Sequence, residues 1–130
     1  MKKYFISVAL VAFMAACGGS DSTEKKDEAA AAPAKVDVTQ TPEYKAGLAL
    51  IAKNDCLTCH KTAEKLVGPA YLDVSNKYAG VDTAVAYLSH KVIAGGSGVW
   101  GSLAMTPHAA VSQADAEAMV KYILLLKDAQ

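Results

Sequence analysis

Cys56-Leu57-Thr58-Cys59-His60 decides the reading of this chain. Two thiols three positions apart, followed at once by a histidine, form the attachment pattern for haem c. The thiols can add across the two vinyl groups of one haem, and the adjacent imidazole then lies beneath the iron as an axial ligand. Other chemistries use parts of the same stretch. A C-x-x-C redox pair expects a strand–helix–strand setting, and no strand pattern surrounds this one. A structural zinc site needs four ligands at fixed spacing. Cys56, Cys59 and His60 with His90 or His108 would make four, but neither distant histidine has a partner at finger spacing. A plain disulfide is the third alternative. The histidine in place and the compartment read from the N-terminus favour haem.

That compartment follows from the first seventeen residues. Lys2 and Lys3 precede an apolar stretch, Tyr4 to Phe13, and the small residues Ala15 and Ala16 lead into Cys17. Residues 1–16 read as a secretory signal peptide, too short to span a bilayer as a helix of about 20 residues. A cysteine directly after small residues resembles a bacterial lipoprotein cleavage site, with Cys17 becoming the lipidated first residue. Lipidation would account for the odd cysteine and leave the other two for haem. Ordinary cleavage near Cys17, leaving a free thiol, is the bland alternative. The expected location is the periplasmic side of a bacterial membrane, with inner membrane, outer membrane and cell surface undistinguished.

Composition then changes. Gly18 to Gln40 holds Gly-Gly-Ser, a mixed-charge run from Asp21 to Glu28, four alanines and Pro33, with almost no large apolar side chain. Such a stretch cannot bury enough surface to offset the entropy of ordering. Residues 17–40 therefore read as a lipidated cysteine and a disordered tether, about 25 Å long as a coil and about 80 Å fully stretched.

Residues 41–130 form one small domain, whose apolar core is marginal unless a buried cofactor completes it. Its 8 lysines balance 8 acids, so no strong field suggests a nucleic-acid partner. The chain has no arginine, which argues against a bidentate phosphate reader.

The pattern within the domain reads as helical throughout. Thr41 caps a first helix with Pro42 at its first position, apolar through Ala46, Leu48, Leu50 and Ile51 to Asn54. Gly68-Pro69 breaks the chain before a short helix over Ala70 to Tyr78. Asp82 can cap a third helix, ended by Gly95-Gly96. Ser112 with Asp115 reads as a capping box for the last, whose apolar face carries Ala116, Met119, Val120, Ile123 and Leu124. No segment alternates cleanly enough for a strand.

With these features in order, the domain resembles the small bacterial monohaem c-type cytochromes of class I. The resemblance covers Thr41 to Gln130. It rests on the N-terminal helix running into Cys56–His60, on Gly68-Pro69, and on the Gly95-Gly96-Ser97-Gly98-Val99-Trp100-Gly101 loop. Met105 close to Pro107 and a C-terminal helix complete it. It implies an all-α class I cytochrome c fold of about four to five helices wrapped around one haem c held by two thioethers. The first and last helices should cross, with Gly47 facing Tyr122 or Ile123.

The resemblance makes Met105 the distal iron ligand opposite His60. Thr106 separates it from Pro107, where the family commonly has proline next. His108 and His90 are the rivals, and Met119 on an apolar helix face reads as core. By the same resemblance the Pro69 carbonyl accepts a hydrogen bond from His60, fixing its tautomer. Trp100 packs on the haem rim and donates to a propionate, its alternative being a core aromatic, and Tyr71 borders the haem. A soft thioether opposite histidine raises the potential relative to a second imidazole.

The expected function is electron transfer and not enzymatic catalysis. The chain would carry one electron on a six-coordinate haem between membrane-associated redox proteins, such as a quinol-oxidising complex and a terminal oxidase or reductase. It would act as a lipid-anchored monomer. The alternative in another class is a haem-based sensor or peroxidase-like module with a labile distal ligand.

Overall fold

Thr41 starts the first helix by a local device. Its backbone is extended, and its Oγ1 accepts from the Tyr44 N–H at 3.3 Å. This satisfies one of the donors that a helix start leaves free, while Pro42 lacks one of them altogether. The computed structural model describes residues 37–130. The signal sequence, Cys17 and most of the tether lie outside the described residues.

After α1 (Pro42–Lys53) come α2 (Tyr71–Lys77), α3 (Ala84–Ala94), strands β1 (Gly96–Gly98) and β2 (Gly101–Met105), and α4 (Gln113–Leu125). A short 3-10 turn over Val38–Gln40 precedes α1 and another over Leu126–Ala129 follows α4. The Val38–Gln40 turn falls in the stretch read as tether from composition. It is folded against α1 and the last turn. No helix among the described residues is long and apolar enough to cross a membrane.

The crossing of α1 and α4 organises the domain. Gly47 is buried there, and a Cβ on it would overlap Tyr122 Cβ and stand 2.5 Å from the Ala118 carbonyl oxygen. Only hydrogen fits between these backbones. Tyr44 packs edge-on against Tyr122, with centroids 4.8 Å apart, a geometry aromatic quadrupoles favour. Ile51, Met119, Ile123 and Leu126 continue the core, joined by Val74 and Tyr71 of α2 and by Val111. Each such side chain contributes roughly 1.5–3 kcal/mol by leaving water. The Ser112 cap is present, its Oγ accepting from Asp115 N at 3.1 Å.

Two buried serines tie helices together. Ser75 Oγ donates to the Leu124 carbonyl at 2.8 Å and accepts from Lys127 N at 3.2 Å. It thereby joins α2 to the place where α4 tightens into its last turn. Ser89 Oγ reaches the Val85 carbonyl at 2.7 Å and accepts from Gln113 Nε2 at 3.1 Å, linking α3 to α4.

Two local expectations fail. α3 begins after Thr83, which makes no side-chain cap bond, so Asp82 is not its cap. The Gly-rich stretch after α3 is an antiparallel hairpin, with Gly96 paired to Met105 and Gly98 to Gly101. Gly96, Gly98 and Gly101 have φ of +110°, +123° and +120°. The pairing is made by backbone that only glycine adopts freely, so no side-chain alternation announces it.

Candidate haem site

The chain leaves α1 by a sharp turn. Asn54 Nδ2 donates to the Leu50 carbonyl at 2.8 Å, and Asp55 takes a left-handed conformation with φ 55°. Aspartate tolerates that region better than most residues. The next residues wind into a single turn, with Cys59 N and His60 N both bonded to the Cys56 carbonyl at 3.2 and 3.0 Å. Cys56, Cys59 and His60 are thus gathered within one turn of chain. Both thiols are free; Cys56 is half-buried and Cys59 exposed. Burial pushes the Cys56 thiol up from its ordinary value.

His60 is held from three directions. Its Nδ1 lies 2.8 Å from the Pro69 carbonyl oxygen. A carbonyl can only accept, so Nδ1 carries the proton and Nε2 keeps a free lone pair. Tyr71 stacks on the ring, with centroids 5.1 Å apart and planes 11° from parallel. Gly68 lies against the ring edge: a Cβ there would stand 2.7 Å from Nδ1 and 2.8 Å from Nε2. The backbone locks this arrangement, since Gly68 N donates to the Cys59 carbonyl at 2.8 Å. Tyr71 N and Leu72 N, the uncapped donors at the start of α2, bond the Lys61 and Thr62 carbonyls, each at 2.9 Å. The start of α2 is therefore capped by the very strand of chain that follows His60. Burial raises the Tyr71 phenol well above its usual value.

Met105 ends β2, half-buried and paired with Gly96. Gly95 turns the chain out of α3 with φ +69°, and a Cβ there would overlap the Met105 carbonyl and stand 2.9 Å from Pro107 N. One step on, His108 N donates to the Val92 carbonyl at 3.1 Å. The Met105–His108 segment is thus stitched onto the end of α3. Trp100 sits at the hairpin tip, 41% exposed, with Lys77 Nζ 5.5 Å from its ring centroid. It is not a core aromatic. His90 is exposed and Met119 fully buried. His108 is half-buried, and its Nδ1, shielded from solvent, has no hydrogen-bond partner in the protein.

Sequence reasoning missed the close approach of Gly68 to His60 and the turn at Asp55. The signal for the first was a glycine beside Pro69, read only as a chain break. Among the described residues, no three of His, Cys, Asp and Glu assemble into a metal-holding cluster, so the zinc alternative finds no support.

The donor set fits haem c. Two unpaired thiols and an imidazole with a free Nε2 lie within five residues, and glycine leaves room beside that ring. Comparison with known proteins agrees. The cytochrome c family model matches residues 44–127. The chain belongs to the cytochrome c family. Cytochrome c-552 of Nitrosomonas europaea is 49% identical over 78 residues, covering 60% of this chain and 76% of the relative. Cytochrome c-551 of Allochromatium vinosum is 45% identical over 87 residues, 67% of this chain and 93% of its own. The crystal structure of wild-type Nitrosomonas europaea cytochrome c552 superimposes with a TM-score of 0.60 at 48% identity, over 62% of this chain and 99% of that one. The expected class I fold is therefore present, with the glycine hairpin added to its helices. A cytochrome c carries one haem c bound covalently through its C-x-x-C-H motif, here Cys56 to His60. The chain is accordingly a haem c electron-transfer protein.

Proposed function

We propose that this cytochrome carries one electron on a six-coordinate haem c with His60 and Met105 as axial ligands, and that it is not an enzyme. The observation that carries the reading is the hold on His60: Pro69 fixes the Nδ1 proton at 2.8 Å, and Gly68 fixes the ring edge, so Nε2 is the only nitrogen free to ligate. When bound, haem supplies iron that cycles between ferrous and ferric states. Cys56 and Cys59 keep it from leaving. His60, made a stronger donor by the Pro69 carbonyl, would hold the iron through Nε2. Met105, whose main chain ends a strand seated on α3, would supply a thioether sulfur as the second ligand. Trp100 at the hairpin tip and Lys77 at the end of α2, 5.5 Å from its ring centroid, would supply an indole N–H and an ammonium suited to a haem propionate.

The test is the optical spectrum of the full chain made with a haem-attachment system, oxidised and reduced, before and after Met105→Ala. A weak far-red sulfur-to-iron band that vanishes in the variant supports His60/Met105 ligation. A spectrum indifferent to the substitution overturns it. One observation favours the alternative, a sensor or peroxidase-like module with a labile distal ligand: His108, three residues from Met105, has a shielded Nδ1 without a partner. Rapid CO binding to the reduced protein near neutral pH would select that reading.

The cellular setting belongs to the same proposal. Export by residues 1–16, lipidation of Cys17 and the tether that runs from Gly18 to the Val38–Gln40 turn would hold the domain on the periplasmic side of a membrane. There a restricted search volume raises its effective concentration for membrane-associated partners, such as a quinol-oxidising complex and a terminal oxidase or reductase. Cys17→Ser should release the protein and slow electron delivery in membranes. Unchanged flux at matched protein levels would count against the anchor.

A further inference from the structure

Two of the three holds on His60 act at the edge of its ring. The Pro69 carbonyl takes the Nδ1 proton at 2.8 Å, and Gly68 closes on Nδ1, Cε1 and Nε2. A ring gripped at its edge can still roll about that edge, and the χ2 torsion of a histidine has only a broad preference of its own. A contact on the face is what stops the roll. Among the described residues Tyr71 is the aromatic that supplies it, with planes 11° apart and centroids 5.1 Å apart, the spacing of offset stacking.

Tyr71 is itself fastened. It opens α2, and its N–H donates to the Lys61 carbonyl at 2.9 Å. That carbonyl belongs to the residue next to His60, so one backbone bond fixes the two stacked rings to each other's chain. The Tyr71 side chain is 5% exposed and packs in the core with Ile51, Val74 and Met119. Its hydroxyl lies beside the Cys56 side chain, so a single residue touches both the first thiol and the histidine of the C-x-x-C-H stretch.

We propose that Tyr71 is a positioning residue for electron transfer: its ring face sets the plane of the His60 imidazole and keeps it fixed as the iron changes charge. The inference rests on His60 as the iron ligand proposed above. The π system of an imidazole overlaps different iron d orbitals according to its plane. A ring that rolled would therefore alter the electronic state of the iron and add movement to every transfer. The flat face has this role and the hydroxyl does not, so phenylalanine should preserve it and an aliphatic side chain of similar bulk should lose it.

The test reads His60 itself. The Nδ1–H of the reduced, haem-loaded full chain is followed by nitrogen-15 NMR during exchange into D2O, beside the backbone amides of Val120 and Ile123 in α4. The parent is compared with Tyr71→Phe, Tyr71→Leu and Tyr71→Met. A tyrosine that only stabilised the fold would change the protection of the imidazole and of the α4 amides alike, through the same global opening. Expected instead is a loss of Nδ1–H protection, relative to the α4 amides, of more than about fivefold in Tyr71→Leu and Tyr71→Met and of less than that in Tyr71→Phe. The g values of the ferric protein in electron paramagnetic resonance should move in the two aliphatic variants and stay in Tyr71→Phe. A smaller relative loss in the aliphatic variants, or an equal loss in Tyr71→Phe, overturns the proposal. Where neither aliphatic variant loads haem, the parent decides: Nδ1–H protection equal to that of the α4 amides supports the clamp, and an Nδ1–H that exchanges by a local opening overturns it. A proton found on His60 Nε2 in the loaded parent fails the ligation reading instead, and a far-red band indifferent to Met105→Ala fails the Met105 assignment alone.

Discussion

Gly68→Ala probes the imidazole directly. The new methyl would stand 2.7 Å from His60 Nδ1 and 2.8 Å from Nε2, whereas ordinary contact begins at 3.4 Å. The methyl would also overlap His60 Cε1 outright, so the ring must withdraw by about 1 Å, but Tyr71 stacks on it and Pro69 holds its Nδ1. Overpacking of this kind costs about 1–3 kcal/mol, and loss of the Pro69 bond adds about 1 kcal/mol. Gly68 has no positive φ, so alanine adds no backbone strain and the loss reports the contact alone. At about 4–8 °C per kcal/mol for a domain of this size, the melting temperature should fall by about 10–30 °C. The haem bands should move as well, because the displaced group is the proposed proximal donor. Thermal unfolding of the haem-loaded chain followed at the Soret band, with oxidised and reduced spectra at low temperature, reads both effects. A melting temperature within about 3 °C of the parent together with unchanged spectra would refute the reasoning.

Three further substitutions separate fold from site. Ser75→Ala leaves the part-buried Leu124 carbonyl and Lys127 N–H without the buried hydroxyl that joins them, which should cost about 1–3 kcal/mol in denaturant titration while leaving the haem spectrum alone. Gly47→Ala should destabilise by about 1–3 kcal/mol, because its methyl collides with Tyr122 and Ala118; the same titration checks it, and parental stability would mean the helices part freely. Tyr71 links stability to pH: burial raises its folded pKa above the unfolded value near 10. Its neutral form is thus favoured in the fold, and the contribution is full below about pH 10 and lost as pH rises towards the folded value. Melting temperatures from pH 8 to 11 should fall less steeply in Tyr71→Phe than in the parent.

Much of this was legible because it is written in side chains. The Thr41-Pro42 start, the apolar stripe of α4, the small residue at the α1–α4 crossing and the C-x-x-C-H stretch each announce themselves through residue type and spacing. What escaped is written in backbone. The hairpin from Gly96 to Met105 contains no alternating pattern, since its register rests on glycines at positive φ and a bulge between Gly96 and Gly98. The start of α2 carries no capping side chain, because carbonyls of Lys61 and Thr62 satisfy its donors. Asp82 was a plausible cap by residue type, but α3 starts one residue after Thr83 without one.

The same backbone writing bears on what the site does. A one-electron carrier works best when its metal ligands stay put as the charge on the iron changes, since each ligand movement must be reorganised at every transfer. Both proposed ligands are held here by main-chain contact against glycine. His60 is confined by Gly68 and the Pro69 carbonyl, within a loop whose ends are bonded to α2. The main chain that carries Met105 is confined by its pairing with Gly96, by Gly95 beneath its carbonyl and by the His108–Val92 bond. Close packing against backbone leaves less freedom than a flexible side-chain wall would, because the main chain cannot rotate away. A loop that released its ligand on demand, as a sensor requires, would be stitched down less. The number of independent backbone ties on the Met105 side therefore argues for a fixed ligand and for electron transfer, even though the unpartnered His108 lies only three residues away.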